Sequence, residues 1–480
     1  MSFRPLLTFI LSLAATAFAA PPNILWIVAD DLGPELGCCG YEGVATPNID
    51  RLAAEGVRYT RAFSSAPVCS ASRTAFITGK YQTSIGGFHH RTRIIKPLPE
   101  PVKPVTELFR DAGYFVTNGA GSTGDLERPG KSDYNFEYED KTMFDGTDWR
   151  QRAEGQPFFA QVQMHEPHRP FVTSGRSGDG LDIPPFYPDH PVTRADWANY
   201  LATIEQLDER VGVVLDRLEA GGLADNTVVI FFGDHGRPHL RGKQWLYEGG
   251  ILTPLIIRWP DKLTAGEVRD GMVSLIDLAP TSLAAAGIAL PDWFDGVDIL
   301  APGFQGRDRI FAARDRCGDA PDRIRCVRTE RWKYIRNFEP GRSFSQYSGY
   351  KKLQYPVLTL MAVMNAQGRL NGRQAEWFAD TRPAEELYDL DADPWELNNL
   401  ATDSAHADTV AQLRGELDTW IQQTHDQGAE LEGDAAYMEA LMAEKRGYYE
   451  KAMKRRKLDP DLSDRAYLEW WKKELRVEEN

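Results

Sequence analysis

Residue types that could act on a charged substrate are concentrated in three short segments of this sequence. Asp30-Asp31, His165-Glu166-Pro167-His168-Arg169 and Asp234-His235 each follow an apolar run directly. Carboxylate oxygens bind hard divalent cations, and such a cation polarises a bound anion and lowers the pKa of a nucleophile beside it. A single Asp-Asp pair is more often a polar turn, and one His after a strand is more often a polar cap. A catalytic or metal-binding site therefore requires these three segments to meet in space.

A cysteine provides the candidate nucleophile. Cys69 lies between an apolar turn and a segment, Thr74 to Thr78, that we predict to be helical. The first turn of a helix carries unpaired backbone N–H groups and the positive end of the helix dipole, which suits an anion. Taken alone, such a cysteine is more often a packing residue, and Arg73 beside it a surface charge.

The order of these segments makes the pattern specific. Cys69-Ser70-Ala71-Ser72-Arg73, with Thr78-Gly79-Lys80 behind it, resembles the signature of type I sulfatases. The resemblance implies that a maturation enzyme converts Cys69 to formylglycine, whose hydrated form attacks the sulfur of a sulfate ester or sulfamate. Many family members have Pro where this chain has Ala71, which bears on the identity of the maturation enzyme.

The resemblance also implies a metal site. Asp30, Asp31, Cys69 and Asp234 match the family's calcium ligands, and His235 stands where Asn is usual. We expect Ca²⁺, with Mn²⁺ or another divalent ion as the alternative because imidazole suits softer metals. The alternative role for His235 is to hydrogen-bond to the metal ligands without binding the ion itself.

Further site residues follow from the same resemblance. The segment His165–Arg169 is similar to the heparan N-sulfatase (sulfamidase) branch, with His168 on the sulfate. Arg73, Lys131, His168 and Lys243 are expected to neutralise the sulfate oxygens, with His168 or Lys243 as the general acid. Asp133 stands where the family has a His beside the nucleophile. Either Asp133 takes over the proton relay of that His, or the alignment with the family is shifted at this position. The expected substrate contacts are His165, Arg169, His89, His90 and Arg91.

Alternating buried strands and amphipathic helices must position these residues. Continuous apolar runs predict buried parallel strands at Asn23 to Ala29, Phe158 to Met164 and Thr227 to Phe232. This alternation predicts a doubly wound α/β sheet, which binds ligands at the carboxyl ends of its strands. The resemblance specifies an alkaline-phosphatase-like sandwich with a mostly parallel central sheet and a small C-terminal antiparallel α+β subdomain.

The predicted domain organisation has four parts. Residues 1–20 read as a signal peptide, 21–305 as the catalytic domain, 306–428 as the antiparallel subdomain and 429–480 as a helical tail. The basic start, short apolar stretch and Ala17-Phe18-Ala19 ending predict export to the periplasm or the medium. No other segment is apolar enough to span a membrane.

Charge and cysteine content exclude some functions. The net charge of −15 argues against a nucleic-acid partner and requires any anion site to be a local cluster of cations. Five cysteines make no disulfide framework. Cys317 and Cys326 either pair in an oxidising compartment or remain free thiols.

A sulfated oligosaccharide or polysaccharide is the expected substrate. One alternative is a phosphate or phosphonate ester hydrolase of the same superfamily. The other is a non-catalytic glycan-binding protein, which would follow if Cys69 stayed unmodified.

Overall fold

The computed structural model describes residues 20–121, 126–430 and 432–477. The predicted signal peptide lies outside the described residues except for Ala20. Among the described helices, none combines the length and the apolar character that crossing a bilayer requires.

An eight-stranded sheet forms the centre of the larger part of the molecule. Its strands are β1 (Asn23–Ala29), β2 (Val57–Phe63), β3 (Phe115–Ala120), β4 (Phe158–Gln163), β5 (Thr227–Gly233), β6 (Leu252–Arg258), β7 (Glu267–Arg269) and β8 (Val273–Ser274). The order is β3-β4-β1-β5-β6-β2-β7, with β8 also beside β2. The central strand β1 is parallel to both β4 and β5.

Strand β6 departs from the doubly wound parallel pattern. It is antiparallel to both β5 and β2. The connection from β5, residues 234–251, contains one short helix, Glu248–Ile251, and no long helix of the kind that carries the chain back to the opposite edge in a parallel crossover. Strand β6 therefore begins at the edge where β5 ends. Strand β2, which we did not predict, is antiparallel to β6 and so runs in the same direction as β1.

Helices cover the two faces of this sheet. They are α1 (Pro47–Glu55), α2 (Cys69–Thr78), α3 (Val105–Asp111), α4 (Asp140–Met143), α5 (Pro191–Ala220), α6 (Glu248–Ile251) and α7 (Leu278–Ala285). Alternate residues of β1 join different cores: Leu25, Ile27 and Ala29 on the α5 side, and Ile24, Trp26 and Val28 on the other. Burial on both faces explains the continuous apolar sequence of β1.

A second, antiparallel sheet follows. Its strands β9 (Ile310–Arg314), β10 (Ile324–Arg328), β11 (Trp332–Asn337) and β12 (Glu385–Asp389) are arranged in the order β12-β11-β10-β9. Helix α11 (Ala407–Gln423) packs its buried face, including Leu413 and Leu417, on this sheet. The predicted fold class is confirmed.

Five further α-helices, which we did not predict individually, complete the described part of the chain. Between β11 and β12 lie α8 (Gly349–Gln354), α9 (Pro356–Ala366) and α10 (Gly372–Ala375), and the tail forms α12 (Ala435–Arg455) and α13 (Asp464–Glu474). The tail helices pack against α8 and α9 through Leu353, Tyr449, Met453, Tyr467 and Trp471. Cys317 and Cys326 are both buried free thiols, so of the two alternatives the structure contains the unpaired one.

Candidate active site

The polar segments meet at the carboxyl edge of the central sheet. Asp30 and Asp31 follow β1, His165 and His168 follow β4, and Asp234 follows β5. Asp31 has a positive φ of 67°, a conformation that is uncommon for residues other than glycine. Its backbone N–H donates to Asp234 Oδ1 at 3.0 Å, so the ends of β1 and β5 are joined at the site.

Cys69 is the first residue of α2 and is fully buried at this edge. Strand β2 delivers it, because β2 ends at the same edge as β1 and β5 and only residues 64–68 separate it from α2. The Cys69 Sγ lies 3.4 Å from Asp30 Oδ1, 3.4 Å from His235 Nε2 and 3.3 Å from Lys243 Nζ. The thiol therefore occupies the point where the predicted segments converge.

Four of the converging side chains could hold a metal ion. Asp30, Cys69, Asp234 and His235 each offer one ligand atom, and these atoms all lie within 4.8 Å of one another. The His235 Nδ1 is 2.9 Å from the Gly236 carbonyl oxygen. If Nδ1 carries the proton and donates it there, Nε2 is left with its lone pair facing the carboxylates, as in metal-bound histidines.

The electrostatics also fit a cation at this position. Burial by itself would lower the pKa of His235, but Asp234 and Asp31, followed by Cys69, raise that pKa well above its usual value. A negative field that favours a proton on Nε2 also favours a metal ion in place of the proton. Because the donors combine carboxylates with one imidazole, the residues present fit a divalent cation.

Three basic side chains hold the carboxylates. Lys131 Nζ donates to Asp30 Oδ2 at 2.7 Å, and Lys243 Nζ donates to both oxygens of Asp31 at 2.7 and 2.8 Å. Arg73 Nε donates to Asp234 Oδ2 at 2.9 Å. Burial would raise the pKa of Asp31, but Lys243, followed by His168 and His235, holds it well below its usual range.

One donor of Arg73 is left for a ligand. Its Nη1 donates to Gln163 Oε1 at 2.7 Å. Its Nη2 is buried, lies 3.8 Å from Asp30 and has no hydrogen-bond partner among the described residues. A buried donor without a partner is costly, and an anion bound at the nucleophile would satisfy it.

His168 faces the same point from β4. Its Nε2 lies 3.8 Å from Asp31 Oδ2, and its Nδ1 lies 2.5 Å from the Arg169 carbonyl oxygen. Burial lowers the pKa of His168 to about 4, although Asp31 opposes this shift. The imidazole is therefore neutral at pH 7.

Asp133 is held by two cations. Arg91 Nε and Nη2 donate to its two oxygens at 2.9 and 2.8 Å, and Lys131 Nζ lies 3.5 Å away. Burial would raise the pKa of Asp133, but the hydrogen bond from Arg91 and the charge of Lys131 keep it below its usual range. An ionised carboxylate in these ion pairs favours a positioning role for Asp133 over a proton relay.

A cavity of about 500 Å³ opens above these residues. Among the predicted substrate contacts, His90, Arg91, His165 and Arg169 line it. His89 is not among the lining residues, because its imidazole faces Glu432 at 3.9 Å. The structure therefore gives no support for a substrate contact by His89.

Arg169 lines the cavity, but its guanidinium is engaged in the protein. It donates to both oxygens of Asp196 at 2.7 and 2.6 Å and to the Gln354 carbonyl at 2.7 Å. These contacts tie the loop after β4 to α5 and α8. The geometry favours a positioning role for Arg169 over direct recognition of a sugar.

Several lining residues were missed because they lie on elements without a recognisable motif. Tyr350 of α8 places its ring 5.4 Å from Lys243 Nζ and 6.0 Å from the His168 ring. Helix α12 of the tail contributes Glu444, Lys445 and Tyr448 to the cavity. The tail sequence contains no motif that would indicate such a contribution.

Comparisons with known proteins identify relatives of this chain. The family model described as "Sulfatase" matches residues 22–288, and the model described as "N-sulphoglucosamine sulphohydrolase, C-terminal" matches residues 233–352. An "Ulvan-active sulfatase" of Formosa agariphila is 34% identical over 457 residues, covering 83% of this chain and 74% of that protein. The human "N-sulphoglucosamine sulphohydrolase" is 28% identical over 470 residues, covering 85% of this chain and 91% of that protein.

Solved structures share the fold at lower sequence identity. A protein in complex with its substrate D-glucosamine-2-N,6-O-disulfate has a TM-score of 0.62 at 18% identity, covering 85% of this chain and 98% of that one. A phosphonate monoester hydrolase from Silicibacter pomeroyi has a TM-score of 0.60 at 19% identity, covering 85% and 97%. At these identities the similarity establishes the fold alone.

Proposed function

This chain belongs to the sulfatase family, and on that premise we propose that it hydrolyses sulfate esters or sulfamates of sulfated glycans through a formylglycine made from Cys69. The observation that carries the proposal is the position of the Cys69 Sγ. It lies at the start of α2, 3.4 Å from Asp30 Oδ1 and 3.3 Å from Lys243 Nζ. Carboxylates and cations thus surround one buried thiol, and two of its neighbours, Asp30 and Lys243, line a sugar-sized cavity.

The nucleophile requires maturation. We propose that a separate formylglycine-generating enzyme oxidises Cys69 before or during export. The apolar segment Leu6 to Phe18 supports export to the periplasm or the medium. The hydrated aldehyde supplies two hydroxyls on one carbon, one to attack sulfur and the other to expel the bound sulfate.

A divalent cation completes the proposed site. Asp30, Asp31, Asp234 and His235, together with the oxygen that replaces the Cys69 sulfur, would hold it. We propose Ca²⁺, with Mn²⁺ as the alternative, because oxygen ligands predominate and one imidazole is present. When bound, the ion would polarise the sulfate and lower the pKa of the hydrated aldehyde.

The basic residues of the site bind and neutralise the sulfate. The free Nη2 of Arg73 and the ammonium groups of Lys131 and Lys243 are aimed at the region around the nucleophile. Such fixed donors stabilise charge that develops on the oxygens during displacement at sulfur. Of the two expected general acids, His168 and Lys243, we assign the proton for the leaving sugar oxygen to Lys243, because the His168 imidazole is neutral at pH 7 whereas the Lys243 ammonium beside Asp31 is protonated.

The substrate class rests on the relatives and on the cavity. The names of two relatives refer to ulvan and to N-sulphoglucosamine, both sulfated carbohydrates. Polar side chains and Tyr350 line the cavity, as in carbohydrate sites that combine hydrogen bonding with an aromatic surface. We therefore propose a sulfated sugar residue as the group that enters this cavity.

A desulfation screen tests the proposal. The protein, produced in a host with a maturation enzyme, is incubated with size-defined sulfated oligosaccharides, and sulfate loss is read by mass spectrometry. We expect release that falls by about 10⁴-fold or more in Cys69→Ala, because the nucleophile is lost. The peptide containing residue 69 should be about 18 Da lighter than its cysteine form, since a thiol is replaced by an aldehyde.

The same experiment distinguishes the alternatives. An unshifted peptide mass, with oligosaccharide binding but no release, would identify a glycan-binding protein. Faster turnover of an aryl phosphate than of the matched aryl sulfate would identify a phosphoester hydrolase instead.

A further inference from the structure

Helix α12 of the C-terminal tail forms part of the mouth of the active-site cavity. The base of the cavity contains Asp30 and Lys243, whose exposed fractions are 1% and 2%. Lys445 of α12 is half-buried, and Tyr448 on the same helix is 59% exposed. This gradient in exposure places the two tail residues at the outer end of a space whose inner end is lined by Asp30 and Lys243, the neighbours of the Cys69 thiol.

The helix is fixed in this position by contacts on both sides. Tyr449 is fully buried and packs in the cluster with Leu353 of α8. At the other side Arg93 forms an ion pair with Glu444, and the Arg93 N–H donates to the Tyr437 hydroxyl at 3.4 Å. Side chains on α12 therefore have a defined position relative to the cavity.

Within the part of the chain that the structure describes, Lys445 is a cation without a counter-ion. The other cations around it are paired: Arg91 with Asp133, Arg93 with Glu444 and Arg316 with Glu432. Lys445 has no hydrogen bond or ion pair among the described residues. The nearby Asp319 carboxylate lies beyond ion-pair distance and accepts from the Gly349 N–H at 2.8 Å.

The surroundings of Lys445 indicate an anionic ligand. In a chain with a net charge of −15, this half-buried ammonium lies near three arginines whose own charges are already paired, so Lys445 is the positive charge that is left for a ligand. An anion at this point would gain a charge-assisted hydrogen bond. The exposed ring of Tyr448 offers, within the same mouth, a flat apolar surface that matches the face of a sugar ring.

We propose that Lys445 and Tyr448 form a subsite for an anionic sugar ring next to the ring that carries the scissile sulfate. This inference rests on the proposed function, because it extends the same substrate outward from the nucleophile. Lys445 binds a carboxylate or a second sulfate on that ring, and Tyr448 stacks on its face. The enzyme is thereby selective for acidic oligosaccharides over isolated sulfated monosaccharides.

The test compares a sulfated monosaccharide with three disaccharides that extend it. The added ring is a hexuronic acid, the carboxyl-reduced form of that acid, or a sulfated hexose. For Lys445→Gln we expect kcat/KM on the two anionic disaccharides to fall about tenfold, mainly through KM, because a charge-assisted hydrogen bond is lost. The reduced disaccharide and the monosaccharide should change by less than about twofold, since they make no such bond.

Tyr448 gives an independent readout. Tyr448→Ala should lower kcat/KM on all three disaccharides by about three- to tenfold, and Tyr448→Phe should retain most of it because the ring remains. Lys451→Gln is the control, since Lys451 is an exposed lysine of the same helix that does not line the cavity. A loss in Lys445→Gln that is equal on all four substrates, or absent on all, would overturn the subsite.

Failure of the proposed function gives a different result. If the wild-type protein releases no sulfate from any of the four compounds, the function is wrong. Calorimetric binding of the same compounds to Cys69→Ala then tests the subsite by itself. If the double variant Cys69→Ala, Lys445→Gln no longer binds the anionic disaccharides more tightly than the reduced one, the subsite is supported. If Cys69→Ala and the double variant bind all four compounds equally well, the subsite is rejected.

Discussion

At the scale of single residues, the site is organised by charge balance. The carboxylates of Asp30, Asp31 and Asp234 are matched by three basic side chains, as the hydrogen bonds between them show. Adding a divalent ion to this balanced set would leave a net positive charge, which suits a sulfate group. The hydrogen bonds from Lys131, Lys243 and Arg73 hold these buried carboxylates in place, so the site is set before substrate enters.

His235 makes a prediction about metal preference. After chelation and reloading, both Ca²⁺ and Mn²⁺ should raise the Tm of the wild-type protein, because each binds the folded state. In His235→Asn the affinity for Mn²⁺ should fall by about tenfold or more, while Ca²⁺ retains most of its effect, since an amide oxygen replaces imidazole. Thermal shift titration measures both.

His165→Asn provides the control for this experiment. His165 borders the same cavity but is not in the group of ligand atoms around Cys69. Equal losses of the Ca²⁺ and Mn²⁺ shifts in His235→Asn would contradict a ligand role for its imidazole.

Asp133 makes the second prediction at this scale. If it positions Arg91 and Lys131, Asp133→Asn should lower kcat/KM about tenfold, because two ion pairs weaken, without shifting the pH profile. A displaced limb of the profile, or a loss of about a thousandfold, would instead support a proton relay. Steady-state rates across a pH series measure this.

At the scale of elements, α2 shows how the signature segment serves the fold. Gly79 ends this helix with a φ of 62°, and its N–H donates to the Ala75 carbonyl. A Cβ at Gly79 would also meet the ring of Phe294. The glycine of Thr78-Gly79-Lys80 is therefore required by backbone conformation and packing, while Lys80 pairs with Asp295 at 2.7 Å.

Replacement of this glycine gives the third prediction. Gly79→Ala should lower the free energy of unfolding by about 2–4 kcal/mol, from the left-handed conformation together with overpacking against Phe294. Gly113→Ala is the matched control, with a φ of 86° but no atom within 4 Å of the added Cβ. Gly113→Ala should lower the free energy of unfolding by about 1–2 kcal/mol. If the two substitutions have equal effects in thermal unfolding, the contribution of packing against Phe294 is ruled out.

At the scale of the whole molecule, the region from α8 to α13 joins the second sheet, the tail and the catalytic cavity. Within it, α8 carries Tyr350 toward Lys243 and Leu353 toward the tail cluster. Between them Lys351 is buried, with its Nζ 5.6 Å from the Trp245 ring. Burial and the charge of Arg314 lower the pKa of Lys351 to about 7.

Protonation of Lys351 therefore lowers the free energy of unfolding as the pH falls from about 10.5 to about 7. Between the folded pKa of about 7 and the ordinary value of 10.5, the unfolded chain binds more protons, so stability rises with pH through this window. Lys351→Met should raise the Tm by at least about 2 °C at pH 6.5 and by less at pH 10. Lys352→Met, which alters a half-exposed lysine 3.5 Å from Asp464, should show no such pH dependence.

A pH-independent gain in Lys351→Met would contradict this explanation. It would indicate that the substitution acts by packing alone. Calorimetric scans of both variants at the two pH values separate the contributions.

The sequence by itself determined the chemistry and most of the elements that carry it. The apolar run of β1 coincides with the strand Asn23–Ala29, because burial on both faces imposes a continuous local pattern. The segments after β1, β4 and β5 were expected to meet for an equally local reason, since parallel strands end at one edge. These predictions needed no knowledge of distant contacts.

Only the tertiary structure decided the direction of β6, the place of β2 and the residues at the cavity mouth. Strand pairing joins segments far apart in the chain, as in the register between Val57 and Ile257, and no local pattern specifies it. The orientations of His89 and Arg169 likewise depend on Glu432 and Asp196. Lys445 and Tyr448 reach the cavity because Tyr449 is anchored on α8, and packing between distant helices alone brings the tail to the site.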